Sequence, residues 1–346
     1  MATKEFITPD ASGSPDVREI ADALHLDFAL EKKFKRFNEY LKKCTDGTHV
    51  LFPHLGKPGP DDWLRNHPTP PEPFLTWQTK LSRNDVTSTR NTIYILPLGE
   101  FLSQGSHSAT AKPKDGGCSG MTFLSDLEVY TKLFFASMNV KLLTEVPLAK
   151  LKCSTRNHTV SEGVKRPQLH VPGIFTFMKN MIPEDAYCVL GVTMVDLYPK
   201  ESWNFVFGRA MLQDRIGVFS FARHHPNFFN GAKSIEVSTL HELTPDEYQL
   251  LQWRAIKVLT HEIGHMFGLQ HCVYFSCLMN GSNNAEEGDR AFSFLCPVCL
   301  RKLQFAIQFK FLARYKSLMK FFQERSVSGS KFAECAQWIE KAIAIA

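Results

Sequence analysis

From Thr260 to Gly281 the sequence reads THEIGHMFGLQHCVYFSCLMNG. His261 and His265 are four residues apart, so on a helix they leave one face about a turn from each other. Two imidazoles so placed can share one Zn²⁺ at about 2.0–2.1 Å each. Glu262 is rotated around the helix, which suits it to take a proton from an attacking water rather than to ligate. Gly268 lets the chain reverse, and His271 can then supply a third nitrogen. Each fixed position of H-E-x-x-H-x-x-G-x-x-H thus has a physical role, as one of three ligands, as the base or as the turn. Met279 follows eight residues later, where a turn could lay a hydrophobic floor under the metal. The competing reading, histidines that merely share a helix face, explains neither the glycine nor the third histidine.

Four cysteines follow: Cys272, Cys277, Cys296 and Cys299, the last two in a C-x-x-C knuckle, CPVC. Four thiolates as two close pairs fit a closed tetrahedral zinc site, which is structural rather than catalytic. Two disulfides or plain buried thiols are the alternatives. The other five of the nine cysteines, Cys44, Cys118, Cys153, Cys188 and Cys335, show no pairing pattern and read as ordinary thiols. The sequons at Asn157 and Asn280 read as chance matches.

A helix must carry the first two histidines. Thr244 is its expected N-cap, with Pro245 at the first helical position and Glu247 three residues after the cap. Tyr248, Leu251, Ala255, Val258 and Leu259 then repeat at helical spacing, and Gly268 sits where a left-handed C-cap belongs. Upstream, NTIYILPLG predicts a buried strand, FLSDLEVYTKLFFASM a helix, VKLLTEVPL a strand, GIFTFMKNMIPED a short helix and AYCVLGVTMVDLYP one buried strand. Such alternation predicts an α/β sheet. WNFVFGRAML and GVFSFARHH, close together, predict an antiparallel hairpin that puts one strand at an edge. His224 and His225 at its end read as loop or surface residues, a place in the cleft being the weaker alternative.

SQGSHSATAKPKDGGCSG reads as a loop. Residues 1–50 read as helical and charged, DFALEKKFKRFNEYLKK being the clearest amphipathic helix, while the proline-rich 53–73 predicts an extended segment lying on the next domain. LQFAIQFKFLARYKSLMKFF predicts one basic amphipathic helix packing its Phe and Leu face on the core, with a calmodulin or membrane target as the alternative.

Composition bounds the rest. At 346 residues with 44% apolar content the chain can bury a sizeable core. A net charge of +5, spread along the sequence, is no nucleic-acid footprint. The first thirty residues lack a signal-peptide pattern and no stretch of eighteen apolar residues occurs. The expectation is an intracellular protein, cytoplasmic, nuclear or both, with reduced cysteines.

The adjacency of Cys272 to His271 and of Cys277 to Met279 resembles one branch of the metzincin zinc peptidases, the archaemetzincins. CVLGVTMVDLYP, SWNFVFG and GVFSFAR are also similar to that family, over roughly residues 90–320 and closest to its archaemetzincin-2 type. The resemblance implies an α/β (α+β) zincin fold: a mixed twisted sheet with an antiparallel edge strand, a long active-site helix, and a small C-terminal subdomain with a four-cysteine zinc site. The expected organisation is an extension over 1–89, a peptidase domain over 90–325 with an upper part to 268 and a lower part from 269, and a tail over 326–346. Two zinc ions per chain are expected: a catalytic one on His261, His265 and His271, and a structural one on Cys272, Cys277, Cys296 and Cys299. Glu262 is the expected catalytic residue. The implied function is zinc-dependent hydrolysis of peptides or proteins, with aminopeptidase action favoured; neither nucleic acid nor membrane is an expected partner. Asn204–Ala210 is the candidate substrate cradle, because metzincin substrates lie along the sheet's edge strand. The rivals are a zinc-stabilised scaffold with little hydrolytic activity, against which the intact Glu262 counts, and a zinc-ribbon nucleic-acid module, against which the absence of a basic cluster around the cysteines counts.

Overall fold

The computed structural model describes residues 17–26, 34–45, 51–101, 120–327 and 329–346. In chain order these form helices α1 (Val17–Leu24), α2 (Lys35–Lys43), α3 (Trp63–Asn66) and α4 (Phe74–Gln78), then strand β1 (Thr92–Pro97) and helix α5 (Gly120–Phe134). Strands β2 (Asn139–Leu142), β3 (Thr155–Ser161) and β4 (Val164–His170) precede α6 (Val171–Met178). Strands β5 (Ala186–Thr193), β6 (Asp196–Tyr198), β7 (Gly208–Met211) and β8 (Ile216–Ser220) lead to the long helix α7 (Pro245–Met266). Helices α8 (Ala285–Arg290), α9 (Pro297–Ile307), α10 (Phe311–Arg325) and α11 (Lys331–Ala344) complete the order. The first part of the amphipathic helix expected around 27–43, and the loop expected over 103–120 apart from Gly120, lie outside the described residues.

The contacts group the chain into two compact units. One holds the described residues of Val86–Met266 and of Glu324–Ala333. Its main sheet has the order β2-β1-β5-β8-β7; neighbours run parallel except β7, which is antiparallel to β8 and forms an edge. Strands β1 and β5 are buried at every position, and a parallel strand covered on both faces reads as an unbroken apolar run. Leu96, Val189 and Val218 of the sheet pack with Ile174 and Met178 of α6 and Leu197 of β6.

A second sheet, β3-β4-β6, departs from expectation. AYCVLGVTMVDLYP is not one strand: β5 ends at Thr193, whose Oγ1 accepts the Val195 N–H at 3.2 Å, and the chain re-enters the other sheet as β6, parallel to β4. This turn separates two runs that are equally apolar, so composition does not mark it.

The other unit comprises the described residues of Met1–Asp85, Phe267–Gln323 and Glu334–Ala346. Here α1, α4 and α9 meet, and the buried Glu72 carboxylate accepts from Lys302 Nζ at 2.9 Å and also from Lys80. Trp338 of α11 stacks on Phe294 at 4.4 Å and donates from Nε1 to the Leu51 carbonyl at 3.0 Å. The single basic helix expected over LQFAIQFKFLARYKSLMKFF is two: Gln308 is left-handed at φ 50°, and α9 ends there. The buried face of α10 carries Phe311, Tyr315, Leu318, Phe321 and Phe322. Among the described residues no helix is long and apolar enough to cross a membrane.

Candidate metal centres

Helix α7 begins with the capping box its sequence predicts. The Glu247 N–H donates to Thr244 Oγ1 at 3.3 Å, and Glu247 Oε2 accepts the Thr244 N–H at 2.9 Å. The helix lies against α5 and strands β5, β7 and β8. Gln252 ties it to α5, donating to Asp126 at 2.8 Å. Of the expected inward positions, Tyr248, Leu251, Ala255 and Leu259 are buried and Val258 is half-buried. At its end the Met266 carbonyl, which has no partner within the helix, accepts from the buried Tyr187 hydroxyl at 2.9 Å. The last turns, which carry the histidines, are therefore held from both ends.

There His261 and His265 bring their Nε2 atoms within 3.0 Å of each other, the ring planes at 85°. Two nitrogens at zinc-bond length in a tetrahedron stand about 3.3 Å apart, so the pair fits a shared zinc with a shift of tenths of an ångström. Glu262 lies beside them, half-buried. The protein around its carboxyl replaces water, and this desolvation lifts its pKa to about 7. A dication nearby would draw it back down.

In the other unit, Gly268 takes φ +76°, the left-handed turn its position predicts. Trp77 closes over this turn, its Nε1 donating to the Phe267 carbonyl at 3.0 Å. A side chain at 268 would meet the Trp77 indole and Arg83 at 3.4 Å. His271 follows three residues later, half-buried, with its ring against that of Trp63 at 4.2 Å and 76°.

The four cysteines come together within the same unit, all buried, their sulfurs within 4.8 Å of one another. Cys272 and Cys296 have Sγ atoms 3.6 Å apart, far beyond the roughly 2.05 Å of a disulfide, so the disulfide alternative fails. Sulfurs on one tetrahedral zinc stand about 3.8 Å apart, so this donor set fits the ion. Hydrogen bonds from Cys277, Cys296 and Cys299 hold the Cys272 thiol well below its ordinary range. Burial pushes Cys296 well up, and the bond to Cys272 does the same to Cys299. The backbone N–H groups of Cys296 and Met279 point at Cys277 Sγ, at 3.2 and 3.4 Å.

Asn280, which sequence offered only as a chance sequon, staples this loop. Its Oδ1 accepts the Cys277 N–H at 2.6 Å, and its Nδ2 donates to the carbonyls of Cys272 and Phe275 at 2.8 and 3.0 Å. Met279 is fully buried, and its carbonyl accepts the Cys272 N–H at 2.8 Å. Tyr187, Trp63 and Trp77 also escaped sequence reasoning; nothing local to them marks partners so distant along the chain.

His224 and His225 are not surface residues: both are buried. His224 stacks on Phe207 at 5.0 Å, and His225 Nδ1 accepts the Asn227 N–H at 3.1 Å. The Asn204–Ala210 stretch runs from one sheet to the other. Val206 pairs with Leu197 in an isolated antiparallel bridge, the Phe207 carbonyl accepts from Ser220 at 2.8 Å, and β7 begins at Gly208. Of the remaining cysteines, Cys44, Cys188 and Cys335 are buried thiols, Cys153 is half-buried, and Cys118 lies outside the described residues.

A family model, that of peptidase family M54, matches residues 146–305. Archaemetzincin-2 of Homo sapiens is 37% identical over 301 residues, 84% of this chain and 78% of that protein, and that of Pongo abelii is 38% identical with the same coverage. The chain belongs to the archaemetzincin family. An archaemetzincin of Archaeoglobus fulgidus of known structure is 25% identical, covering 61% of this chain and 99% of that one, with a TM-score of 0.39. Membership makes this archaemetzincin a zinc metallopeptidase whose substrates are peptides or proteins. The 301 aligned residues exceed what residues 90–320 hold, so the likeness reaches past the span its motifs mark.

Proposed function

We propose that the chain hydrolyses peptide bonds at a zinc ion held by His261, His265 and His271, with Glu262 as general base. A second zinc, structural, sits on Cys272, Cys277, Cys296 and Cys299, and peptides with a free amino terminus are the preferred substrates. The carrying observation is the 3.0 Å approach of the His261 and His265 Nε2 atoms on a helix where Glu262, next to the first of them, is a desolvated carboxyl group. His271 enters from the motif: it follows His265 by six positions, and Gly268 turns the chain between them.

Zinc bound there would polarise the scissile carbonyl and make a water acidic. The residues divide the remaining work. The imidazoles present neutral nitrogens, and Glu262 takes the proton of the attacking water and passes it to the leaving amine. Within the candidate Asn204–Ala210 stretch, Val206 and Phe207 already pair inside the protein, so it is β7 from Gly208 onward, at the sheet edge, that would give an extended substrate backbone groups to pair with, as in strand addition.

Glu262→Gln tests this reading, because the amide is nearly isosteric yet cannot take the proton. Zinc content and melting temperature should stay near wild type, while peptide hydrolysis falls about 10²–10⁴-fold. Assaying free-amine and N-blocked peptides side by side reads the mode: cleavage of blocked peptides as well would replace aminopeptidase action by an endopeptidase. Equal trace activity in wild type and variant on every peptide would leave a zinc-stabilised scaffold as the function.

A further inference from the structure

Residues 53–67 hold the loop that follows His271 at several points. Ser276 donates to the Pro53 carbonyl at 2.8 Å, and His54 pairs with Phe275 in an antiparallel bridge. Asn283 Nδ2 donates to the Asp61 carbonyl at 2.9 Å, and Arg290 donates to Asp62 at 2.6 Å. The Glu287 carboxylate joins the two segments: Oε1 accepts the Trp63 N–H at 2.7 Å and Oε2 the Asn283 N–H at 2.6 Å.

These bonds deliver one side chain to one place. The Trp63 indole stands nearly perpendicular to the His271 imidazole, centroids 4.2 Å apart, while His67 stacks on the indole at 4.9 Å. The fit leaves no room for slack. A Cβ at Gly281 would lie 2.5 Å from the indole atoms Cδ2 and Cε3, so a glycine is required there for the ring to enter. Gly281 is not left-handed, which leaves room for the indole as its reason.

We propose that Trp63 is a positioning residue for the third zinc ligand: it restricts the His271 ring to one orientation so that its nitrogen meets the metal without a search. This rests on His271 being a ligand, as proposed above. An imidazole free to rotate loses that freedom when it binds metal, whereas one already confined by an aromatic wall loses less. Neighbours that orient a metal's ligand by hydrogen bonding change affinity about 10–100-fold when removed, and a wall that confines the ring acts on the same freedom.

The full-length protein allows a direct test by competition with a zinc chelator and by the visible absorption of the cobalt-substituted form. Trp63→Ala should weaken the more labile zinc about 10–100-fold and shift the cobalt ligand-field bands, with the thiolate-to-cobalt bands of the cysteine site unchanged. Trp63→Phe, which keeps an aromatic wall, should recover most of the affinity, and Gly281→Ala, which expels the indole, should reproduce the loss. Wild-type affinity and an unchanged spectrum in both Trp63→Ala and Gly281→Ala would overturn the proposal. So would loss of the thiolate bands or global unfolding in Trp63→Ala with no zinc deficit in the folded Gly281→Ala, because the role would then be one of packing. His271→Ala separates the two layers: if it too leaves the labile zinc unchanged, the ligand assignment itself falls; if it weakens the zinc and the tryptophan variants do not, only the positioning role falls.

Discussion

Asn280 and His225 show how much a single side chain can carry outside the histidine motif. Asn280→Ala would strip three hydrogen bonds from the loop that bears two of the cysteines. Each such bond contributes about 0.5–1.5 kcal/mol net, so a total loss of about 2–4 kcal/mol is expected in denaturant unfolding of the zinc-loaded protein. A change below about 0.5 kcal/mol would mean that water replaces the amide. His225 carries a pH dependence. Burial, aided by the Arg166 charge, pushes its pKa to about 4 from an ordinary 6.5. The unfolded chain therefore binds the extra proton, so the stability tied to His225 is complete above pH 6.5 and is lost as pH falls toward 4. At pH 5 the loss is about 2 kcal/mol. His225→Asn, which can still accept the Asn227 N–H, should melt with a shallower pH slope between 7 and 5 than wild type; parallel slopes would sink the assignment. The histidine and cysteine motifs were legible because their spacing is local. Asn280 was visible only as a sequon, since its three partners become neighbours only when the loop closes.

Helix α7 was readable from end to end because its signals are local too: the Thr244–Glu247 box, the apolar repeat and Gly268. Its two ends offer matched tests. Thr244→Ala should cost about 0.5–2 kcal/mol by losing the cap, and Tyr187→Phe about 1 kcal/mol by leaving the Met266 carbonyl without its buried donor. Chemical denaturation of both variants checks this, and a Tyr187→Phe variant as stable as wild type would show that another group satisfies that carbonyl. The strands were less legible where polarity hides them. The β3–β4 hairpin is a strand pair whose residues are mostly half-buried or exposed, so the apolar alternation that betrays a strand is missing. The break between α9 and α10 has no glycine or proline to announce it, only Gln308 in a left-handed turn.

At the scale of the molecule, the two metal centres should differ in what they support. Binding of a structural zinc contributes directly to folding. Cys296→Ser should therefore lower the melting temperature by about 10 °C or more, and His271→Ala by only a few degrees. Metal analysis should find about two zinc ions in wild type and about one in His265→Ala; equal small shifts in melting for both sites would return the cysteines to ordinary thiols. The organisation expected from the family resemblance has boundaries near residues 89, 268 and 325, whereas the contact units gather segments from distant parts of the chain, a grouping without local signature. That discontinuity bears on synthesis. Phe52, Phe74 and Trp77, all buried in the finished unit, leave the ribosome long before Phe292, Phe305 and Trp338, the aromatic partners they pack against. At 5–20 residues per second the intervening stretch takes roughly 10–60 s to make. Throughout that interval the early aromatic residues are without those partners, a standing invitation to chaperones, while the chain of the other unit already has its strands from β1 to β8 emerging in order.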